Sequence, residues 1–428
     1  MTQGSANPAE EDKFPDFSNG PQERKTNVPN LPFKKLLRAG GALLLLCAYI
    51  AVAYAVSRHQ AYYDPYSLAG HDKISFQRAK IVSVDSEQVR RDEKHPELLV
   101  GSQDVTLRLL TGPRKDTSYQ TVNNLNYDTN YYVRPGQTVI VSVSETGDGK
   151  TVNVNVNSPD RTPFLYLAAG VFVLLLCAVG GRSGFRSALA IGFTVASTIF
   201  IFIPLLYLGV PPPAAALLFA AVTACVTLFL VGGFERKSLI AALGTIGGVA
   251  AASGLEALFG SLTRTSGYTF SDTDSLLTIS SHSGLKVGGL FFAAVLISSL
   301  GAVMDIAISV ATAVNEIYET NPQADGKALF ASGMNVGRDM LGTMANTLIF
   351  AFTGSSLVVL IQIYTYNMPY FQVMNSNSIA TEILQALIGS IAVILTAPLV
   401  SLLCAKLLPA FGTKGKGRSR DAGPGPRP

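Results

Sequence analysis

Two short polar stripes carry most of the chemistry open to the apolar parts of this 428-residue chain. The first is Asp305, Ser309, Thr312 and Glu316, whose spacings of four, three and four put them on one helical face. The second is Asn335, Asp339, Thr343 and Asn346, at four, four and three, with Arg338 beside Asp339. A carboxylate among hydroxyls and amides can take and release a proton or hold a cation, and an Arg–Asp pair can open and close. Ionisable groups are costly in hydrocarbon, so Asp305, with no basic residue in its own apolar run, is the leading candidate. The expectation is that the stripes face each other away from lipid, where Asp305, Asp339 and Arg338 pair or line a wet cavity. The alternative is a dry network that glues two helices, and it weighs most for Arg338 and Asp339, which the sequence puts near the cytoplasmic interface. Glu256 and Glu316 also read as interfacial.

Other chemistry is excluded by what is missing from the apolar runs. His59, His71, His95 and His282 all fall outside them, so neither a zinc protease nor a Ser–His hydrolase has its base or ligands there. There is no HExxH pair and no GxxxxGK[ST] loop. Two membrane aspartates raise an intramembrane aspartyl hydrolase as a third reading, but Val336, Gly337 and Arg338 precede Asp339 where that class carries Gly-x-Gly. No catalytic set, metal site or cofactor is expected. Cys47, Cys177, Cys225 and Cys404 lie in apolar runs and read as small apolar residues.

The elements that must position these groups are long apolar helices. Only 14% of residues are charged and 48% are hydrophobic, against about 25% charged in an ordinary soluble chain. A span needs about 20 mostly apolar residues. Eight runs meet that, at about 39–56, 163–179, 187–208, 214–231, 239–258, 287–312, 341–364 and 383–407. Pro211, Pro212 and Pro213 force the turn between the third and fourth. Gly244, Gly247 and Gly248 have the small-residue spacing that lets helices approach closely. Ala51, Ala53 and Ala55 resemble a signal-peptidase site, yet the 38-residue leader is long for that, so the first span is read as retained.

Lysine and arginine set the expected orientation. Lys34, Lys35 and Arg38, then Arg182 and Arg186, Arg236 and Lys237, Lys327 and Arg338, and a basic C-terminal tail all fall on one side. The intervening short loops hold only Arg264 and Lys286. Both termini are therefore expected in the cytoplasm, in a multi-pass protein of the cell membrane. Trp is absent, so Tyr54, Tyr62, Tyr63, Tyr166, Tyr207, Tyr364, Tyr366 and Tyr370 near span ends serve as interfacial anchors.

Between the first two spans lies a block of soluble composition with period-two alternation over 76–158. Val105, Leu107 and Leu109 alternate with Thr106 and Arg108, and Val139, Val141 and Val143 with Ile140 and Ser142. Val152, Val154 and Val156 alternate with Thr151, Asn153 and Asn155, after a hairpin signal at Gly147, Asp148 and Gly149. About five strands follow, enough for a small barrel or sandwich. An OB-like barrel would tempt a nucleic-acid reading, but no basic stripe interleaved with stacking aromatics is present, so no nucleic acid is expected. A cap or a surface docking a protein partner through 76–158 is the plainer role.

The fold class expected is thus an α-helical polytopic membrane bundle of about eight spans, with a small extracytoplasmic β-rich domain between spans one and two. Its parts run as a cytoplasmic tail (1–38), first transmembrane helix (39–56), β-domain (57–162), seven-helix membrane domain (163–407) and basic cytoplasmic tail (408–428).

GAVMDIAISVATAVNEI, from Gly301 to Ile317, and GMNVGRDMLGTMANTLIFAFTGSSL, from Gly333 to Leu357, resemble the YibE/F family of bacterial membrane proteins. The resemblance covers about 163–407, and a preceding tethered β-domain fits the same layout. It implies a multi-pass bacterial membrane protein and points to Asp305, Glu316, Arg338, Asp339, Thr343 and Asn346 without assigning their task. The leading expectation is a permease-like protein for a small molecule or ion in the lipid bilayer. The alternative is a non-transporting scaffold.

Overall fold

The computed structural model describes residues 73–127, 129–145, 152–270 and 273–413. The N-terminal tail, the expected first span with Ala51, Ala53 and Ala55, the anchors Tyr54, Tyr62 and Tyr63, the hairpin at 147–149 and the basic tail from residue 414 lie outside them.

Five antiparallel strands form one sheet in the order β3-β2-β1-β4-β5: β1 (Lys73–Arg91), β2 (Leu99–Leu109), β3 (Ser118–Leu125), β4 (Thr138–Glu145) and β5 (Val152–Pro159). β1 is long enough to serve two neighbours. Its residues 73–80 pair with β4 and 79–91 with β2. Register shifts between Ile81 and Ser83 and between Val84 and Ser86 bend it, which is how bulges curl a sheet. The curl brings β3 towards β5, and Thr121 Oγ1 donates to the Val154 carbonyl across the gap. The result is a partly open five-stranded barrel. Its core is the alternating set predicted from sequence, with Ala79, Ile81, Val105, Leu107, Leu109, Val139, Val141, Val143 and Val154 all buried.

The rest of the described chain is helical: α1 (Thr162–Tyr207), α2 (Pro212–Gly232), α3 (Arg236–Thr263), α4 (Thr273–Ser281), α5 (Leu290–Thr320), α6 (Gly326–Ser355), α7 (Leu357–Thr365), α8 (Tyr370–Met374) and α9 (Asn377–Thr413). Five helices are long and apolar enough to cross a membrane, or six if α6 and α7, bent by 63° at Ser356, count as one. That is fewer than the eight expected, for two reasons. The first expected span lies outside the described residues. The second and third fall in the single 46-residue helix α1.

That helix is not straight. Gly181 has φ 54° and ψ −130°, a backbone that only glycine adopts readily. A Cβ built on Gly184 would lie 1.9 Å from the carbonyl oxygen of Leu176, although eight residues of straight helix span about 12 Å. The chain therefore turns back on itself at Gly181. Further along, Thr198–Phe202 widens to a π-turn just before Pro204, whose ring removes a donor from the ladder.

The helical core is built from α2, α3, α5, α6 and α9, through residues such as Phe219, Ile240, Leu296, Val303, Val310, Leu329, Val393 and Val400. The α1 arm before Gly181 takes no part, and Phe164, Leu165, Leu174 and Val179 are exposed.

Candidate functional site

The predicted polar residues sit on α5 and α6, and glycines decide how those helices are held. A Cβ on Gly333 would lie 2.6 Å from Ser401 Oγ and 3.1 Å from Val314 Cγ2, while one on Gly337 would lie 2.8 Å from Ala397 Cβ. On the other side of α9, Gly244 meets Val400 and Gly248 meets Thr396. Small residues thus let α3, α9 and α6 approach backbone to backbone, as the Gly244–Gly248 spacing predicts.

These contacts also fix depth. Val314 faces Gly333 and Val310 faces Gly337, so α5 and α6 run antiparallel in steps of four residues. One step further places Ile306 opposite Leu341. Asp305 is therefore level with Leu341 and Gly342, and Arg338 is level with Ser309. Ala397, opposite Gly337, lies near the middle of α9, and Gly247, against Leu399, lies near the middle of α3. Arg338 is twelve residues into α6, about 18 Å along its axis. The helix that carries them starts at Gly326, fifteen residues before the apolar run expected from Leu341, so Arg338 and Asp339 are inside α6 and level with the central part of α9.

The stripes themselves point outward. Asp305, Glu316, Asn335, Arg338, Asp339, Thr343 and Asn346 are exposed on the chain, while Ser309 and Thr312 are half-buried. No hydrogen bond or ion pair joins Asp305, Arg338 and Asp339 in the structure, so the expected pairing is not formed. The reason is the glycine face: α6 spends its Gly333–Gly337 side on α9 and α5, which turns the opposite side away. Thr343 Oγ1 donates to the Met340 carbonyl at 2.9 Å and Thr347 Oγ1 to the Thr343 carbonyl at 2.8 Å, so these hydroxyls are satisfied locally. An Arg or Asp at the centre of a membrane helix costs about 2.5–3.5 kcal/mol on insertion scales, so wherever these exposed groups meet lipid they constrain their surroundings.

Inside the bundle the polar groups are mostly quiet. Thr245, Thr396 and Ser401 donate to the carbonyl four residues back, and Ser299 does the same to Val295. Glu256 lies in the last third of α3, enclosed by protein at 5% exposure, with Oε1 lying over the space left by Gly260. Among the described residues no group of three or more His, Cys, Asp or Glu could hold a metal ion.

Two clusters escaped the sequence reading. Where the sheet meets α1, Arg78 forms an ion pair with Asp160, with Nε to Oδ2 at 2.7 Å, and the Thr162 amide donates to Asp160 Oδ1 at 3.1 Å. Burial pushes the Asp160 carboxyl up, but the bonds from Thr162 and Arg78 and the guanidinium charge outweigh it and hold it below the usual carboxylate value. The Asp-Arg-Thr-Pro start of a helix was the available signal. In the barrel, fully buried Gln103 accepts from the Val133 amide at 2.9 Å and donates to the Val133 carbonyl at 3.1 Å. Asn123 adds bonds to Gln103 and to the Tyr131 carbonyl. Together they lace the 129–137 loop to the strands, with Tyr132 bonded to Glu87 and Tyr131 to Arg161.

A family model described as YibE/F-like protein matches residues 168–410, which spans all but the first six residues of α1 and the last three of α9 and none of the sheet. No curated protein and no solved structure matches the chain.

Proposed function

The chain belongs to the YibE/F-like family of proteins, and from that premise we propose that it is a permease-like integral membrane protein whose working groups are Asp305 on α5 and Arg338 and Asp339 on α6. The observation that carries this reading is the place of Asp305, midway along α5 and level with Leu341–Gly342, without a hydrogen bond or ion pair among the described residues. A carboxylate so placed is suited to binding a proton or a cation during passage. Ser309, Thr312 and Glu316 continue that face along α5, and Asn335, Thr343 and Asn346 continue it along α6. Arg338 and Asp339, not bonded to each other in this structure, are the candidate gate groups.

In this reading the two arms of α1 cross the membrane separately, divided by the turn at Gly181. The span at 39–56, these two arms, α2, α3, α5, α6 with α7, and α9 make eight crossings. Both termini then face the cytoplasm and the barrel faces outward, as the placement of Lys and Arg favours.

The test is flux. Full-length protein in liposomes holding a pH-sensitive dye is challenged with an imposed proton gradient and then a sodium gradient. Wild type is expected to dissipate one of them, and Asp305→Asn at equal incorporation is expected not to. Equal flux through both proteins would remove the carboxylate role.

A second reading, a non-transporting scaffold that docks a partner through its barrel, draws on Phe76, Val82 and Val122. These are exposed at 53%, 51% and 45% on the strands. It predicts that deleting 76–158 removes the host phenotype while Asp305→Asn leaves it intact.

A further inference from the structure

The outward face of α6, which together with α7 is long and apolar enough to cross a membrane, is polar from Asn335 to Asn346. Arg338 and Asp339 are neighbours in sequence and so stand about 100° apart around the axis. Asn335, Gly342 and Asn346 fall in the sector between them, and Gly342 has nothing within 4 Å of where a Cβ would be. The face therefore has a narrow centre of two amides and one glycine, a cation on one flank and an anion on the other. This layout is self-complementary. When two such helices run side by side about a two-fold axis along the membrane normal, the flank of one meets the opposite flank of the other at the same height.

We propose that two copies of this chain pair through the outward face of α6, with Arg338 of each copy against Asp339 of the other and the two Gly342 positions at the closest approach. Charge complementarity selects this occupant over the alternatives within the chain. The apolar segment 39–56 carries no charged residue and cannot neutralise either flank. Lipid tails offer neither charge nor hydrogen bonds. A second copy supplies both signs at the required height, amides to meet the amides, and a glycine that lets the backbones close. The inference rests on α6 lying in the bilayer and not on transport, and its readout is association, so it stands or falls separately from flux.

The experiment uses full-length protein carrying two different tags, co-expressed and captured from mild detergent through one tag. Wild-type copies are expected to capture each other. Arg338→Asp alone and Asp339→Arg alone each place like charges across the face, and each is expected to lower self-capture at least tenfold. Co-expressed with one another, the two variants restore both pairs, so the mixed capture is expected to return to near the wild-type value. That recovery also shows that each variant inserts and folds. A second measurement leaves the charges untouched. In a chain with Cys47, Cys177, Cys225 and Cys404 replaced, Gly342→Cys is expected to give an oxidant-dependent cross-linked dimer in membranes, and Val358→Cys on the neighbouring α7 is expected to give none. Monomeric wild-type protein, undiminished self-capture by the single variants, a mixed pair that stays apart, or no cross-link at position 342 would each overturn the pairing.

Discussion

Gly337 and Ala397 touch at the crossing of α6 and α9, where a Cβ on the glycine would stand only 2.8 Å from that of the alanine. Everything that sets the height and direction of Arg338 and Asp339 passes through this crossing. A residue with a side chain at 337 must push α6 off α9 and α5.

Gly337→Leu is therefore expected to destabilise the bundle by about 1–3 kcal/mol, the ordinary cost of overpacking. Gly301→Leu, on α5 where nothing lies within 4 Å of a built Cβ, is expected to leave stability unchanged. Thermal unfolding of the two variants in detergent checks this, and equal midpoints would contradict the packing described.

The junction between sheet and helix makes a pH-dependent prediction. Asp160 has a depressed pKa in the folded chain, so its ion pair with Arg78 contributes fully above the unfolded value, about 4. That contribution disappears as the pH falls through the depressed folded value. Because the Arg78 side chain is 49% exposed, its loss is expected to cost only about 1–2 kcal/mol. Asp160→Asn should remove that contribution at neutral pH and flatten the acid limb of the unfolding curve. A variant with the wild-type acid limb would contradict the assignment.

Gln103→Ala leaves the Val133 amide and carbonyl without their side-chain partner, at a cost of about 1–3 kcal/mol. Amide hydrogen exchange is the direct readout. Protection at Val133 should fall at least tenfold, while Leu107, in the sheet ladder with Ile81, keeps its protection. Unchanged exchange at Val133 would mean that the loop is held by other contacts.

Asp305→Asn is expected to abolish flux while keeping wild-type protein levels and unfolding midpoint, since the carboxylate makes no hydrogen bond or ion pair among the described residues. A large drop in stability would instead mark Asp305 as a structural group.

The barrel was legible because alternation is a local signal: Val105, Leu107 and Leu109 bury themselves on one face whatever the rest of the chain does. The membrane helices were legible for a related reason, since apolar length alone announces them. Orientation about the helix axis was less so. A polar stripe such as Asn335, Asp339 and Asn346 was expected to turn inward, yet Gly333 and Gly337 on the opposite side pack more closely and took the interior. Both faces are written in the same fourteen residues, and only the partner helix decides between them. Arg78 and Asp160 were invisible for another reason. They are 82 residues apart in sequence and meet only once the sheet has formed.

The turn at Gly181 reaches further than its own helix. A chain that reverses there passes through the bilayer an even number of times between Thr162 and Tyr207, and one that runs straight passes an odd number. Every later loop inherits that parity. In the proposed topology the sidedness of α9, which begins nearly 200 residues downstream of that missing side chain, follows from a backbone angle of 54° that alanine would resist.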